Sequence, residues 1–254
     1  MLNMITHGEP TDRPPLLIVH GLYGSARNWG VVSKKLSDER QVIAVDMRNH
    51  GMSDWHDSHT YADLAGDLAT VLHEIGPADV LGHSMGGKAA MVTALHHAEL
   101  VNRLIVADIA PVAYGHTQLP FIHAMKKVDL NIVDKRSDAL EQLADAGVED
   151  PTLRSFFTQS LDLKARKWRL NLDVLEAEMS KIMGFPEDVT GTYKGATLFL
   201  SGADSDYVLP EHRPRIRAFF PHAKFVKISG AGHWLHAEKS TEFIATVRAW
   251  LARA

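Results

Sequence analysis

Short apolar runs recur along the chain, each closed by Gly, His, Asp or Ser. They are Leu16–Val19 before His20-Gly21, Val42–Val45 before Asp46, Ala78–Leu81 before Gly82, and Leu104–Ala107 before Asp108. Two more follow near the end, Thr197–Leu200 before Ser201-Gly202 and Phe225–Ile228 before Ser229-Gly230. Short runs without alternating polarity predict strands buried on both faces, as in a parallel sheet. Between them the spacing becomes helical. Leu64, Ala65, Leu68, Val71 and Leu72 share one face of a predicted helix over 61–75, which Gly76-Pro77 stops. Lys88–Leu95 is alanine-rich, and Phe243, Ile244, Val247 and Leu251 line one face of Thr241–Leu251. Strands alternating with helices predict a doubly wound, mostly parallel α/β sheet.

One region breaks the rhythm. Between Pro111 and Tyr193 no strand is expected, and helical patterns stand at Phe121–Val128, Ser137–Ala146, Pro151–Gln159 and Trp168–Met183. So long a stretch is not a simple loop. We expect a core domain formed by residues 1–110 and 194–254, with residues 111–193 as a helical cap inserted between two late strands, over the end of the sheet.

Composition narrows the function. The 254 residues are 45% hydrophobic, and 27 Lys and Arg against 31 Asp and Glu give a net charge of −4. That balance suits a soluble globule and offers no basic stripe for nucleic acid. With no cysteine there is no disulfide scaffold, thiolate metal site or cysteine nucleophile. Charged residues interrupt the first fifteen positions, and no run is long enough to span a bilayer. A soluble, cytoplasmic protein that engages no membrane is the expectation; oligomeric state has no signature.

Gly82-His83-Ser84-Met85-Gly86 fits the Gly-x-Ser-x-Gly pattern. Any glycine-rich turn could match it, but here a buried strand precedes and an alanine-rich helix follows. A nucleophilic serine needs that setting: a strained strand-to-helix turn that exposes its hydroxyl, with small neighbours. Ser84 is the expected nucleophile. Most of the 15 histidines lie scattered in loops or on helix faces, His59 among them. His233, in Gly230-Ala231-Gly232-His233-Trp234, differs because it follows the last predicted strand. It is the expected general base. His233 and His236 lack evident further ligands for a metal, and the Asp54, His56, Asp57, His59 cluster reads as a solvated loop. The loop His20-Gly21-Leu22-Tyr23-Gly24 after the first strand suits an oxyanion hole, built from the backbone N–H groups of Leu22 and Met85.

These residues resemble the α/β-hydrolase superfamily across the whole chain. Asp46–Ser53, Gly82–Lys88, Asp108–Val112 and Gly230–Glu238 are more narrowly similar to YbfF-type small bacterial esterases. The resemblance implies the α/β-hydrolase fold and a serine carboxylesterase acting on short- to medium-chain acyl esters, and extending to acyl thioesters. It implies no cofactor, and its partner is a small-molecule ester. Dehalogenases and epoxide hydrolases share the fold but need a carboxylate where Ser84 stands. A cofactor-free lyase or perhydrolase would keep the same triad. A non-catalytic binding module would be expected to have lost a triad member.

The acid is less direct. Relatives often carry Gly-x-x-Asp-x-x-Val-Pro after the strand preceding the histidine. Here Ser205 holds that aspartate's position, flanked by Asp204 and Asp206. Asp108, at the end of the strand before that, is the alternative. The resemblance also points to an acid there, with a serine as fourth member near the histidine. We place the acid at Asp108 and the helper hydroxyl at Ser205, with Asp204 next in line. Tyr23, Phe156, Phe157, Trp168 and Trp234 are the expected substrate-pocket residues.

Overall fold

The buried apolar runs become the middle of one sheet. A computed structural model describes residues 1–252. Its strands in chain order are β1 (Met4–His7), β2 (Leu16–Val19), β3 (Val42–Val45), β4 (Ala78–His83), β5 (Val101–Ala107), the two-residue β6 (Leu161–Asp162) and β7 (Lys167–Trp168), β8 (Ala196–Gly202) and β9 (Lys224–Ile228). Seven of them form a sheet in the order β1-β3-β2-β4-β5-β8-β9. All its pairs are parallel except β1 with β3, which run antiparallel with Met4 opposite Val45.

Alternation of side chains about the strands divides the core into two layers. Leu17, Val19, Ile43, Val45, Val80, Leu104 and Val106 face one side, against α2 (Tyr61–Ile75) and α3 (Met85–His96). Leu16, Ile18, Val42, Ala44, Leu81, Ile105 and Ala107 face the other, against α1 (Gly30–Leu36) and the C-terminal helix Ser240–Leu251. Helix α2 begins where its sequence says it should. Thr60 and Asp63 form a reciprocal capping box, and Gly76 ends the helix at φ 84°.

Both edges depart from the expectation. β1 has no signature in the sequence, because a half-exposed edge strand presents no continuous apolar run. β9 was expected to be buried on both faces, yet Lys224, Val226 and Lys227 are exposed. The Phe225 ring is covered by the guanidinium groups of Arg213 and Arg217, at 5.0 and 5.3 Å.

Between β5 and β8 the chain runs through α4 (Leu119–Lys127), α5 (Arg136–Asp145), α6 (Pro151–Thr158), the β6–β7 hairpin, α7 (Leu172–Ala177) and α8 (Met179–Met183). The expected helix over Trp168–Met183 is therefore corrected: Trp168 pairs with Leu161 across a short hairpin, and the remainder is two short helices meeting at Glu178. This segment is tied to the loop after β3 by backbone bonds from Gly51 N–H to Arg169 O (2.8 Å) and from Asn171 N–H to Asn49 O (2.9 Å).

Candidate active site

Strand β4 runs straight into α3, and Ser84 occupies the joint with φ 53° and ψ −122°, a backbone conformation that L-residues avoid. Two close approaches make the turn possible. A Cβ on Gly82 would collide with the carbonyl of Gly86, and one on Gly86 with the carbonyls of Val19 and His20. The Ser84 N–H donates to Ala107 O at 3.0 Å, which fixes the joint against β5.

The loop after β9 brings His233 to this point. Its Nε2 lies 3.1 Å from Ser84 Oγ, and its Nδ1 lies 2.7 Å from Asp108 Oδ2. Asp108 caps the end of β5 at φ 51° with its side chain fully buried, at 0% exposure. The same Oδ2 accepts from Ser205 Oγ at 2.5 Å, and Oδ1 accepts from the Gly202 N–H at 3.1 Å. Ser84, His233, Asp108 and Ser205 are thus one connected chain of hydrogen bonds. Asp204 and Asp206, the other acidic candidates, are exposed on the loop. His83, beside Ser84, donates Nε2–H to the carbonyl of His233 at 2.9 Å and so holds the histidine loop from beneath.

A cavity of about 270 Å³ opens over Ser84. Leu22 and Met85 both line it. Met85 is the first residue of α3, so its N–H has no partner within the helix and points out of the helix start. Of the expected pocket residues, Tyr23, Phe156, Phe157 and Trp234 line the cavity, joined by Phe121 and Leu153. Trp168 does not. It is buried against α4 with its indole N–H donating to Met125 O at 3.0 Å, so it belongs to the packing of the inserted helices.

Several site groups have no local signature in the sequence. His59, expected in a solvated loop, is buried with its Nε2 3.3 Å from Met85 Sδ. Burial above all, aided by the charge of Arg48, lowers its pKa to about 3. His20 and His50 are also buried, and burial lowers both below the ordinary histidine value. That suits their bonds, since each must present a bare Nε2. His20 accepts from Met47 N–H at 2.9 Å, and His50 accepts from Tyr23 N–H at 3.2 Å. His50 therefore anchors Tyr23, itself at φ 64°, and with it the loop that carries Leu22. The Tyr23 hydroxyl donates to Gln118 O at 3.0 Å, linking that loop to the start of α4.

Lys88 is the other omission. One turn beyond Ser84, it is 1% exposed and reaches the carbonyls of Met183 (3.0 Å) and Gly184 (2.5 Å) at the end of α8. Its ammonium stands 4.8 Å from the Tyr114 ring centre, and burial lowers its pKa to about 7. His236, three residues after His233, stacks on Trp29 at 4.2 Å. Among the described residues no group of three or more His, Asp or Glu side chains is placed to hold a metal.

Comparison with known proteins places the chain in a family. The model of the alpha/beta hydrolase family matches residues 16–246. The sn-1-specific diacylglycerol lipase ABHD11 of Mus musculus is 39% identical over 251 residues, covering 94% of this chain and 81% of that protein. Esterase YbfF of Escherichia coli is 34% identical over 247 residues, covering 94% of each. Among solved structures, a marine microorganism esterase superposes with a TM-score of 0.92 at 35% identity, covering 98% of both chains. The chain belongs to the alpha/beta hydrolase family and is a hydrolase of its esterase and lipase kind.

Proposed function

We propose that the protein is a serine carboxylesterase that cleaves short- to medium-chain acyl esters through a Ser84–His233–Asp108 triad and an acyl-enzyme. The observation that carries this reading is the unbroken relay from Ser84 Oγ through both nitrogens of His233 to the buried Asp108 carboxylate. In the first half-reaction His233 Nε2 takes the Ser84 proton as Oγ attacks the acyl carbonyl. The N–H groups of Leu22 and Met85 then receive the developing oxyanion. His233 returns the proton to the leaving alcohol, and water repeats the sequence on the acyl-enzyme. Asp108 fixes the imidazole tautomer with its proton on Nδ1 and balances the positive charge that forms. Ser205 steadies the carboxylate by donating to the same oxygen. Each step uses this chain's own groups and calls for no cofactor.

The acyl group is assigned to the apolar cavity between Phe121, Phe156, Phe157 and Trp234. The named relatives, a diacylglycerol lipase and an esterase, support an oxygen ester as the scissile bond. The test combines a fluorophosphonate probe with p-nitrophenyl esters of increasing chain length, and acyl-CoA thioesters as a second series. The probe should modify Ser84 and abolish turnover, and Ser84→Ala should lose activity by several orders of magnitude. Labelling at another serine, or an alanine variant with near-native turnover, would refute the assignment.

A further inference from the structure

We infer that Tyr207 is a positioning residue for the reaction: its ring face steadies the His233 imidazole and stabilises the imidazolium formed whenever Ser84 or water gives up its proton. The inference rests on the triad proposed above. The two rings lie nearly parallel, with centroids 4.1 Å apart and planes 22° from one another. The negative face of an aromatic ring attracts a cation held against it, and the attraction grows when water is kept away. The neutral imidazole gains less. The contact therefore acts more strongly on the protonated state, which catalysis visits in both half-reactions.

Tyr207 is fixed on three sides. Its N–H donates to Ser205 Oγ at 3.3 Å, its carbonyl accepts from the Tyr114 hydroxyl at 2.7 Å, and its own hydroxyl pairs with His116 Nε2 at 2.8 Å. One short loop thus delivers two things to the same histidine. Ser205 braces the carboxylate at Nδ1, and two residues later Tyr207 covers the ring face. Burial raises the phenol pKa to about 12, so the side chain contributes a π face and not a charge.

The other neighbours of His233 do not substitute for it. Asp108 meets the Nδ1 edge and Ser84 the Nε2 edge. The His83 ring is 4.8 Å away, with His236 packed against His83 at 4.7 Å. Burial lowers both of their pKa values, that of His236 to about 3, so neither presents a charge near neutral pH. Trp234 stands off at 6.1 Å and 59°. Asp206, next to Tyr207, is exposed, and the Glu238 carboxylate accepts from the backbone N–H groups of Gly232 and Trp234.

The experiment is the pH profile of kcat/KM on p-nitrophenyl butyrate, from about pH 5 to 9, for the native enzyme, Tyr207→Phe and Tyr207→Leu. Labelling of Ser84 by the fluorophosphonate probe is recorded for each. Tyr207→Phe keeps the ring and should keep the native acid limb. Tyr207→Leu should lose roughly three- to tenfold on the plateau and move the acid limb to lower pH by about half a unit. Should the leucine variant fold poorly, Tyr207→Met repeats the test with a more pliant side chain. A leucine or methionine variant whose rate falls while the limb stays put would show mere packing and overturn the inference. So would a phenylalanine variant that falls as far as leucine, because the effect would then belong to the hydroxyl and His116. If the native enzyme is not labelled at Ser84, the triad itself is wrong and this inference goes with it; labelling at Ser84 with identical profiles for all variants removes only the role of Tyr207.

Discussion

Replacing Asp108 by Asn separates the charge of the carboxylate from its shape. The backbone at this position, φ 51°, is one that Asn tolerates better than almost any other non-glycine residue, so the fold should survive. The hydrogen bonds cannot all survive. The native carboxylate accepts from three donors: His233 Nδ1 and Ser205 Oγ on one oxygen, the Gly202 N–H on the other. Asn has one oxygen and one NH2 group. If the oxygen faces Gly202, the NH2 group confronts His233 Nδ1, which must then accept. The ring proton moves to Nε2, and the group that should take the Ser84 proton already carries one. If the oxygen faces His233, the NH2 group meets the Gly202 N–H, donor against donor. The first arrangement destroys the base; the second leaves a buried donor unpaired, at about 1–3 kcal/mol. Both remove the charge opposite the imidazolium. A fall in kcat on the order of 10³–10⁴ is expected, the size seen when a triad loses its carboxylate. Urea denaturation should find the variant folded and weakened by no more than about 3 kcal/mol. Steady-state turnover of p-nitrophenyl butyrate gives the rate, with Asp204→Asn as control, expected within about twofold of native because surface substitutions rarely matter. A native-like Asp108→Asn beside a crippled Asp204→Asn would show that the exposed loop aspartate moves in to supply the charge, and that the buried one only terminates β5.

Two further outcomes follow from the same surroundings. Ser205→Ala removes one charge-assisted bond to Asp108 while leaving the carboxylate on His233, so kcat should fall about tenfold, clearly less than for Asp108→Asn; a loss as large as the aspartate's would mean that Ser205 organises the whole loop. Lys88, with its pKa lowered by burial to about 7, binds fewer protons folded than unfolded between pH 7 and the free-lysine value of about 10.4. The native chain should therefore gain stability as pH rises through that window, by up to about 5 kcal/mol from this group, and Lys88→Met should flatten the rise; parallel stability curves for the two proteins would mean that Lys88 titrates normally.

How far the sequence could be read depended on how local each cause was. β2 and β3 are plain in it because both faces of each are buried, and every residue must be apolar. The boundaries of α2 are plain because Thr60, Asp63 and Gly76 set them within the helix's own span. The elbow is legible for the same reason: the strained turn at Ser84 and the glycines that permit it lie within five residues of one another. His233 and Asp108 could be placed because strand ends gather at one edge of a parallel sheet, so residues remote in sequence inherit proximity from the topology. β1 is hidden because an edge strand keeps one side in water and loses the apolar run. β9 keeps enough of that run, Phe225–Ile228, to be read as a strand, but the exposure of Lys224, Val226 and Lys227 at the edge is not legible in it.

The remaining site residues owe their burial to partners that no local pattern announces. A helical repeat of aromatics says that Phe156 and Trp168 turn inward, but not whether inward means the cavity or the packing beneath it; the hairpin that seats Trp168 on α4 decides that. His59 reads as loop surface because its neighbours Asp54, His56 and Asp57 are exposed, and only the packing against Met85 takes it out of water. Lys88 is the sharpest case. In an alanine-rich helix a lone lysine ordinarily marks the wet face, since burying an unpartnered ammonium is very costly. Here two carbonyls that arrive 95 and 96 residues later in the chain, and the face of Tyr114, offset part of the cost, and the pKa lowered to about 7 expresses the part that remains. The Nζ donors therefore tie the helix that starts at Ser84 to the end of the inserted helices above it. The inserted segment does more than cover the cavity: it supplies the partners without which a lysine could not stand in the turn after the nucleophile.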